Sequence, residues 1–174
     1  TYIAATEPLP KERLEKIIPS GIPVIDTHKV VFHIQWTPDA TRILIGGKAG
    51  REFGGIRGAA AALHAHFTAL FPDLRGARLS HAWDGYFAFT FDYLPHLGVH
   101  DGVHYALGCC ATGVPMGTYL GHKVALKLIG DKEGATVFDN REFPTLPLYS
   151  GNPWFLPLVG TAYRFQDWLD RRAG

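Results

Sequence analysis

The sequence predicts an α+β fold, and three observations support it. Short segments that alternate apolar and polar residues, as strands with one buried face do, recur between residues 2 and 107. Longer segments whose apolar residues recur every three or four positions, as in amphipathic helices, separate or follow them. Turns join the strands directly in several places, which favours a mainly antiparallel sheet with separate helices.

In the first half of the chain, strands are expected at residues 2–6, 24–27, 29–36 and 42–46, the last two forming a hairpin. A short helix at 11–18 would have one apolar face, made by Leu14, Ile17 and Ile18. A longer helix at 57–71, stopped by Pro72, would have a second, made by Ala59, Leu63, His66, Phe67 and Leu70.

In the second half, strands are expected at residues 78–83 and 85–92, the latter alternating through Phe87, Phe89 and Phe91. Residues 93–98 are expected to be irregular, and so are residues 137–147, which are rich in proline. The last helix is expected at 157–171, with an apolar face made by Leu158, Ala162, Phe165 and Leu169.

The stretch 103–129 is predicted to be a buried strand, a tight turn at Gly108, and a helix. Within the helix Gly113, Gly117 and Gly121 are four residues apart, so they share one face and let another backbone or a flat ligand come close. The turn and the helix N-terminus would present free N–H groups and a positive dipole to negative charge or carbonyl oxygen. The alternative is a strand–helix corner whose glycines serve packing alone.

Composition narrows the classes of function. The formal net charge of +1 gives no electrostatic footprint for nucleic acid, and no apolar run is long enough to span a membrane. The only cysteines, Cys109 and Cys110, are adjacent, so we expect free thiols in a reducing, cytoplasmic compartment. None of the nine histidines has the spacing of a zinc or metalloprotease motif, so no metal site is expected.

The beginning of the chain suggests that it is a piece of a longer protein. It starts at Thr1, its single methionine is Met116, and residues 1–5 resemble the middle of a strand. Surface covered in the longer protein would then be exposed, and we expect a homodimer through that apolar surface.

Four segments, in order, resemble the FAD-dependent oxidoreductases related to D-amino-acid oxidase. They are YIAATEPL at 2–9, Asp26-Thr27 with RILIGG at 42–47, HAWDG at 81–85 with TFDYLPHLG at 90–98, and VHYALGCCATGVPMGTYLG at 103–121. The resemblance is nearest to bacterial enzymes that act on glycine, sarcosine or gamma-glutamylputrescine. It implies oxidation of a C–N bond in a small-molecule amine or amino acid, with FAD as cofactor.

The resemblance also implies an arrangement of domains. Residues 1–102 would belong to the substrate-binding domain, and residues 103–174 to the C-terminal strand and helix of the FAD-binding domain. The N-terminal Rossmann half of that domain would be missing, because no G-x-G-x-x-G follows a strand near the N-terminus. The chain alone is therefore expected to hold FAD weakly, or not at all, and to be inactive.

By the same resemblance, the turn and helix start would lie against the flavin ring; these residues are Gly108, Cys109, Cys110, Ala111, Thr112, Gly113 and Val114. Thr112 replaces the family's usual histidine, and Pro115 replaces a lysine that binds the substrate carboxylate in some members. A simple carboxylate clamp is therefore not expected at Pro115. No catalytic residue is assigned.

Four residues are candidates for the substrate site, and two of them have a structural alternative. Trp83 could be a wall beside the flavin or a packing residue, and Arg42 could be a substrate anchor or a strand charge. Tyr86 and His96 could line the site. The competing class for the whole chain is a non-catalytic α+β module that binds a ligand or a protein through an aromatic cleft.

Overall fold

The computed structural model describes residues 1–47 and 54–173 and confirms an α+β fold whose named strands all pair antiparallel. The strands are β1 (Tyr2–Thr6), β2 (Val24–Ile25), β3 (Phe32–Trp36), β4 (Ile43–Gly47), β5 (Leu79–Asp84), β6 (His96–His100) and β7 (Val103–Leu107). The helices are α1 (Lys11–Ile17), α2 (Ile56–Leu70), α3 (Gly113–Leu128) and α4 (Leu156–Ala173). The sequence also predicts a loop bracketed by Gly46-Gly47 and Gly54-Gly55, and its residues 48–53 lie outside the described residues.

Contacts divide the chain into two compact units, Thr1–Gly85 with Pro153–Gly174, and Tyr86–Asn152. The first unit contains a five-stranded sheet in the order β2-β3-β4-β1-β5. The second contains the β6–β7 pair and α3. The predicted division of the longer protein after residue 102 stays a prediction.

The core of the first unit lies between its sheet and helices α1 and α2. Ile34 on β3 is opposite Ile45 on β4, and both side chains are almost fully buried. The same cluster includes Leu14 from α1 and Leu63 from α2. Burying each such side chain contributes roughly 1.5–3 kcal/mol, so the predicted apolar faces hold this unit together.

Strand β3 and helix α4 of the first unit both differ from the expectation, and Asp167 on α4 is involved in both differences. Strand β3 begins at Phe32 rather than at 29, because the N–H groups of Lys29 and Val30 donate to the carboxylate of Asp167 on α4, at 2.7 and 3.2 Å. Asp167 is only 6% exposed. The apolar face predicted for α4 is exposed, with Leu158 at 68% and Phe165 at 58%. Helix α4 thus docks through a carboxylate that satisfies backbone donors.

The strand predicted at 85–92 is wrong. Residues 85–92 form no strand; the rings of Phe87 and Phe89 contact each other with centroids 5.1 Å apart, and the ring of Phe91 contacts that of Tyr149 at 5.2 Å. Strand β6 forms instead at His96–His100, and its first three residues fall in the stretch 93–98 that was expected to be irregular. It pairs with β7, and Tyr105 lies across Gly98 on the opposite strand, so that an aromatic ring covers the glycine.

The predicted strand, turn and helix of 103–129 are confirmed as β7, residues 108–112 and α3. The expected burial of the strand is wrong, because Val103 is 67% and Leu107 38% exposed. Among the described residues β7 pairs only with β6, and a two-stranded sheet cannot bury both of its faces. Leu70, predicted on the buried face of α2, is also exposed because it lies in the last position of that helix.

Candidate functional site

The turn before α3 has an unusual backbone. Gly108, Cys110 and Ala111 all have positive φ, at 76°, 45° and 71°. Non-glycine residues rarely adopt this left-handed conformation, and each costs about 1–2 kcal/mol. Such strain persists only where neighbouring groups hold the backbone in place.

Packing explains why residue 108 is glycine. A Cβ atom there would lie 2.6 Å from Thr90 Cγ2 and 3.3 Å from the carbonyl oxygen of Leu94. The first distance is too short for a methyl group, the second is tight, and the positive φ adds a conformational penalty. Gly108 therefore lets the 90–94 segment contact the turn.

The start of α3 is open and lacks a side-chain cap. The hydroxyl of Thr112 donates to the carbonyl of Cys109 at 2.6 Å and so does not accept from the helix. Within the described part of the chain, no hydrogen-bond partner is seen for the N–H groups of Gly113 and Val114. Both residues are exposed, and Val114 reaches 87%. The helix start therefore has free donors and the positive end of its dipole.

The glycine face of α3 is also open. A Cβ atom at Gly113, Gly117 or Gly121 would meet no described atom within 4 Å. Nothing described packs closely against these three glycines, so their absence of side chains is not explained by packing inside either unit. This placement leaves the face available for close approach by a backbone or a flat ligand.

Asp92, at the centre of the 90–94 segment, carries a strongly perturbed carboxyl. Loss of solvent around it would raise its pKa, but the N–H of Leu94 and the ring of His96 hydrogen-bond the charged form and lower the pKa to about 2. A guanidinium nitrogen of Arg141 lies 3.5 Å from the other carboxylate oxygen. Asp92 is therefore ionised at neutral pH.

His96, a candidate for lining the substrate site, has no exposed surface. Its Nε2 lies 3.3 Å from Asp92 Oδ1, and its Nδ1 lies 3.4 Å from the carbonyl oxygen of Arg141. The ring stacks on Phe143 with centroids 4.3 Å apart. This environment favours a structural role for His96 over contact with substrate.

Arg42, in the first unit, joins three strands. Its Nη1 donates to the carbonyl of Thr6 at 2.8 Å and to the hydroxyl of Ser80 at 2.9 Å. Ser80 in turn donates to the same carbonyl of Thr6 at 2.8 Å. These contacts favour the structural alternative over a substrate anchor.

The two aromatic candidates are more accessible. Trp83, on β5 of the first unit, is 43% exposed, and Tyr86, at the start of the second unit, is 99% exposed. Cys109 and Cys110 are free thiols of intermediate exposure. Of the predicted residues, the second unit contains the glycine turn, Tyr86 and His96, whereas Arg42 and Trp83 belong to the first.

Sequence reasoning missed Thr90 as a residue that contacts the turn. Its hydroxyl donates to the carbonyl of Leu94 at 2.8 Å and lies 3.5 Å from Cys110 Sγ. The spacing of Thr90 and Asp92 within the TFDYLPHLG segment was the available signal. Both residues fall in the strand expected at 85–92, so the contact with the turn was not predicted.

Comparison with known proteins decides the family. The family model described as FAD dependent oxidoreductase matches residues 1–126. The chain belongs to the FAD-dependent oxidoreductases. The matched region includes β1–β7, the glycine turn and most of α3.

Curated relatives agree with the family. The chain is 27% identical to gamma-glutamylputrescine oxidoreductase of Escherichia coli over 98% of its own length and 40% of the relative's. It is 25% identical to a probable oxidoreductase, OrdL, of Haemophilus influenzae over 84% of its length and 33% of the relative's. The chain thus spans a third to two fifths of these relatives. No solved structure matches it significantly.

The described residues fit a flavin but give no sign of a metal. The free N–H donors at the start of α3 match the carbonyl-bearing edge of an isoalloxazine ring in chemistry. No group of three metal-ligating side chains is found in residues 1–47 and 54–173. Across the same residues, no helix is both long enough and apolar enough to cross a bilayer.

Proposed function

We propose that this chain is part of an FAD-dependent oxidoreductase that oxidises the C–N bond of an amine or amino acid. The observation that carries the proposal is the uncapped N-terminus of α3, reached through the strained turn 108–112, inside the region matched by the family. We assign flavin contact to this turn and helix start; the residues are Gly108, Cys109, Cys110, Ala111, Thr112, Gly113 and Val114.

The helix N-terminus would bind the pyrimidine edge of the flavin. The N–H groups of Gly113 and Val114 would donate to ring carbonyl oxygen, and the dipole of α3 would stabilise negative charge that develops there. FAD, when bound, supplies the acceptor for the hydride equivalent removed from the substrate. The N–H groups at the start of α3 would orient the flavin ring and hydrogen-bond the edge on which negative charge develops.

The substrate class follows from the relatives and from what the site lacks. Gamma-glutamylputrescine, named for the Escherichia coli relative, is an amine, which supports an amine or amino acid here. Pro115 has no charge with which to hold a carboxylate. Trp83 and Tyr86 are the candidates for substrate contact, because Arg42 and His96 are engaged in contacts within their own units.

The 174 residues alone would hold FAD weakly, because they contain no G-x-G-x-x-G motif to bind its pyrophosphate. The missing N-terminal half would supply it. Free cysteines support a reducing, cytoplasmic compartment. The exposed apolar face of α4 supports self-association. The competing non-catalytic module is not favoured by the family match.

A pair of variants tests the flavin contact. Gly113 has a helical backbone and open space, so Asp and Asn both fit there, and only Asp adds a negative charge. In protein expressed from the complete reading frame, Gly113→Asp should lower the FAD midpoint potential relative to Gly113→Asn by roughly 30 mV, equivalent to about 1.4 kcal/mol for a two-electron couple.

Equal potentials for the Asp and Asn variants would refute the placement of the flavin. Absence of FAD from the full-length protein would refute the function as a whole. Reduction of the bound flavin under anaerobic conditions by a panel of amines and amino acids would then identify the substrate class.

A further inference from the structure

We propose that Thr90 and Asp92 are positioning residues that hold the glycine turn in the shape that presents the N-terminus of α3 to its ligand. This inference rests on the function proposed above. Neither residue need touch the flavin, because both would act through the turn 108–112. The inference gives a role to the 90–94 segment beyond that of a connecting loop.

The turn requires external support. Cys110 and Ala111 are both in the left-handed region although both carry a Cβ atom, and no side chain caps the helix that follows. Released from its neighbours, such a turn would relax toward negative φ and redirect the first N–H groups of α3. Contacts with another segment must therefore keep it in place.

Residues 88–94 supply those contacts. The N–H of Cys110 donates to the carbonyl of Ala88 at 3.3 Å. The methyl group of Thr90 lies against Gly108, and its hydroxyl, 3.5 Å from Cys110 Sγ, also donates to the carbonyl of Leu94 at 2.8 Å. Thr90 thus contacts the strained turn at two of its residues, Gly108 and Cys110.

Asp92 fixes the segment that carries Thr90. One carboxylate oxygen accepts from the N–H of Leu94 at 3.1 Å and lies 3.3 Å from Nε2 of the fully buried His96. The other lies 3.5 Å from Nη2 of Arg141. The N–H of Tyr93 donates to the carbonyl of Thr90 at 3.2 Å and closes the loop. The carboxylate therefore ties Thr90 to a buried anchor.

The turn carries its own reporter, because Cys110 is a free thiol of intermediate exposure. Alkylation of Cys110 by iodoacetamide, located by peptide mass spectrometry, can be followed in protein without flavin. The FAD midpoint potential in protein from the complete reading frame is the second measurement. The alkylation rate reports on the conformation of the turn, and the midpoint potential reports on the environment of the flavin.

Thr90→Val removes the hydroxyl and keeps the branched shape, whereas Thr90→Ser keeps the hydroxyl. We expect Thr90→Val to raise the rate of Cys110 alkylation roughly five- to tenfold, as when local opening loses one hydrogen bond. We expect it also to shift the flavin potential in the direction of Gly113→Asp, and we expect Thr90→Ser to restore both values. Asp92→Asn should act like Thr90→Val.

Thr161→Val is the matched control, because Thr161 also donates its hydroxyl to a backbone carbonyl at 2.8 Å, on α4. It should change neither measurement. Unchanged alkylation in folded Thr90→Val and Asp92→Asn would overturn the inference whatever the flavin does. An altered alkylation rate with an unaltered potential, where Gly113→Asp does shift the potential, would also overturn it. If Gly113→Asp shifts nothing, the proposed function fails first.

Discussion

Replacing Gly108 with alanine is the sharpest test of the structure around the glycine turn. The new methyl group would lie 2.6 Å from Thr90 Cγ2 and 3.3 Å from the carbonyl oxygen of Leu94, at a φ of +76°. The left-handed backbone costs alanine about 1–2 kcal/mol. The shifts that would relieve the contact with Thr90 cost roughly 1–3 kcal/mol more. Gly108→Ala should therefore lower the free energy of unfolding by about 2–5 kcal/mol.

A control and a rescue separate the two contributions. Gly113→Ala places the same methyl group in open space within α3, so it should leave stability unchanged or raise it by about 0.5–1 kcal/mol. Thr90→Ser removes the clashing methyl group. In the Gly108→Ala background it should recover most of the steric cost and none of the backbone cost.

Urea denaturation, followed by circular dichroism, measures these differences through the transition midpoints of five proteins. They are the wild type, Gly108→Ala, Thr90→Ser, the double variant and Gly113→Ala. Equal stability of Gly108→Ala and Gly113→Ala would refute the close packing of residues 90–94 on the turn. The absence of any coupling between Gly108→Ala and Thr90→Ser would refute the steric part alone.

Three further predictions concern charge and burial. Asp92→Asn should lower the free energy of unfolding at neutral pH but not below pH 2. Because the folded pKa of Asp92, about 2, lies under the ordinary value of 3.8, the wild-type protein loses this stability as the pH falls from about 4 to 2. Acid titration of both proteins measures the difference. Burial lowers the pKa of His33, so the folded protein should lose stability as pH falls below 6.5, and His33→Phe should flatten that slope in thermal unfolding. Asp167→Asn should cost about 1.5–3 kcal/mol and speed amide exchange at residues 29 and 30, whereas the exposed Asp170→Asn should do neither.

Local pattern was enough to predict much of the fold. Helix α1 and strand β1 have the predicted bounds within one residue, and α1 buries its predicted apolar face, because apolar spacing there coincides with tertiary burial. The stretch after Val103 was predicted as strand, turn and helix, and it folds so. In each case local sequence and long-range contacts favour the same structure.

The failures share a physical cause. The alternating phenylalanines satisfy the strand pattern, but a strand also needs a partner, and sequence pattern does not reveal which segments pair. Helix α4 has an apolar stripe, yet its one described buried side chain is Asp167, which binds backbone donors 137 and 138 residues away. Such long-range hydrogen bonds leave no periodic signal.

The candidate site was predicted at the level of the turn but not of its support. Gly108 and the glycine spacing of α3 were visible in the sequence, and Gly108 has the positive φ that glycine adopts more easily than other residues. Cys110 and Ala111 carry no signal for a left-handed backbone, since both residue types avoid it. The contact of Thr90 with that turn depends on loop geometry that pattern alone does not give.

Amide hydrogen exchange, compared between flavin-free and FAD-loaded protein from the complete reading frame, tests the central claim most directly. The claim is that the N–H groups at the start of α3 bind the flavin, and peptides covering residues 109–116 report on them. We predict slower exchange in these peptides on FAD binding, and unchanged exchange in peptides from α4. Full FAD occupancy with no protection at residues 109–116 would contradict the claim.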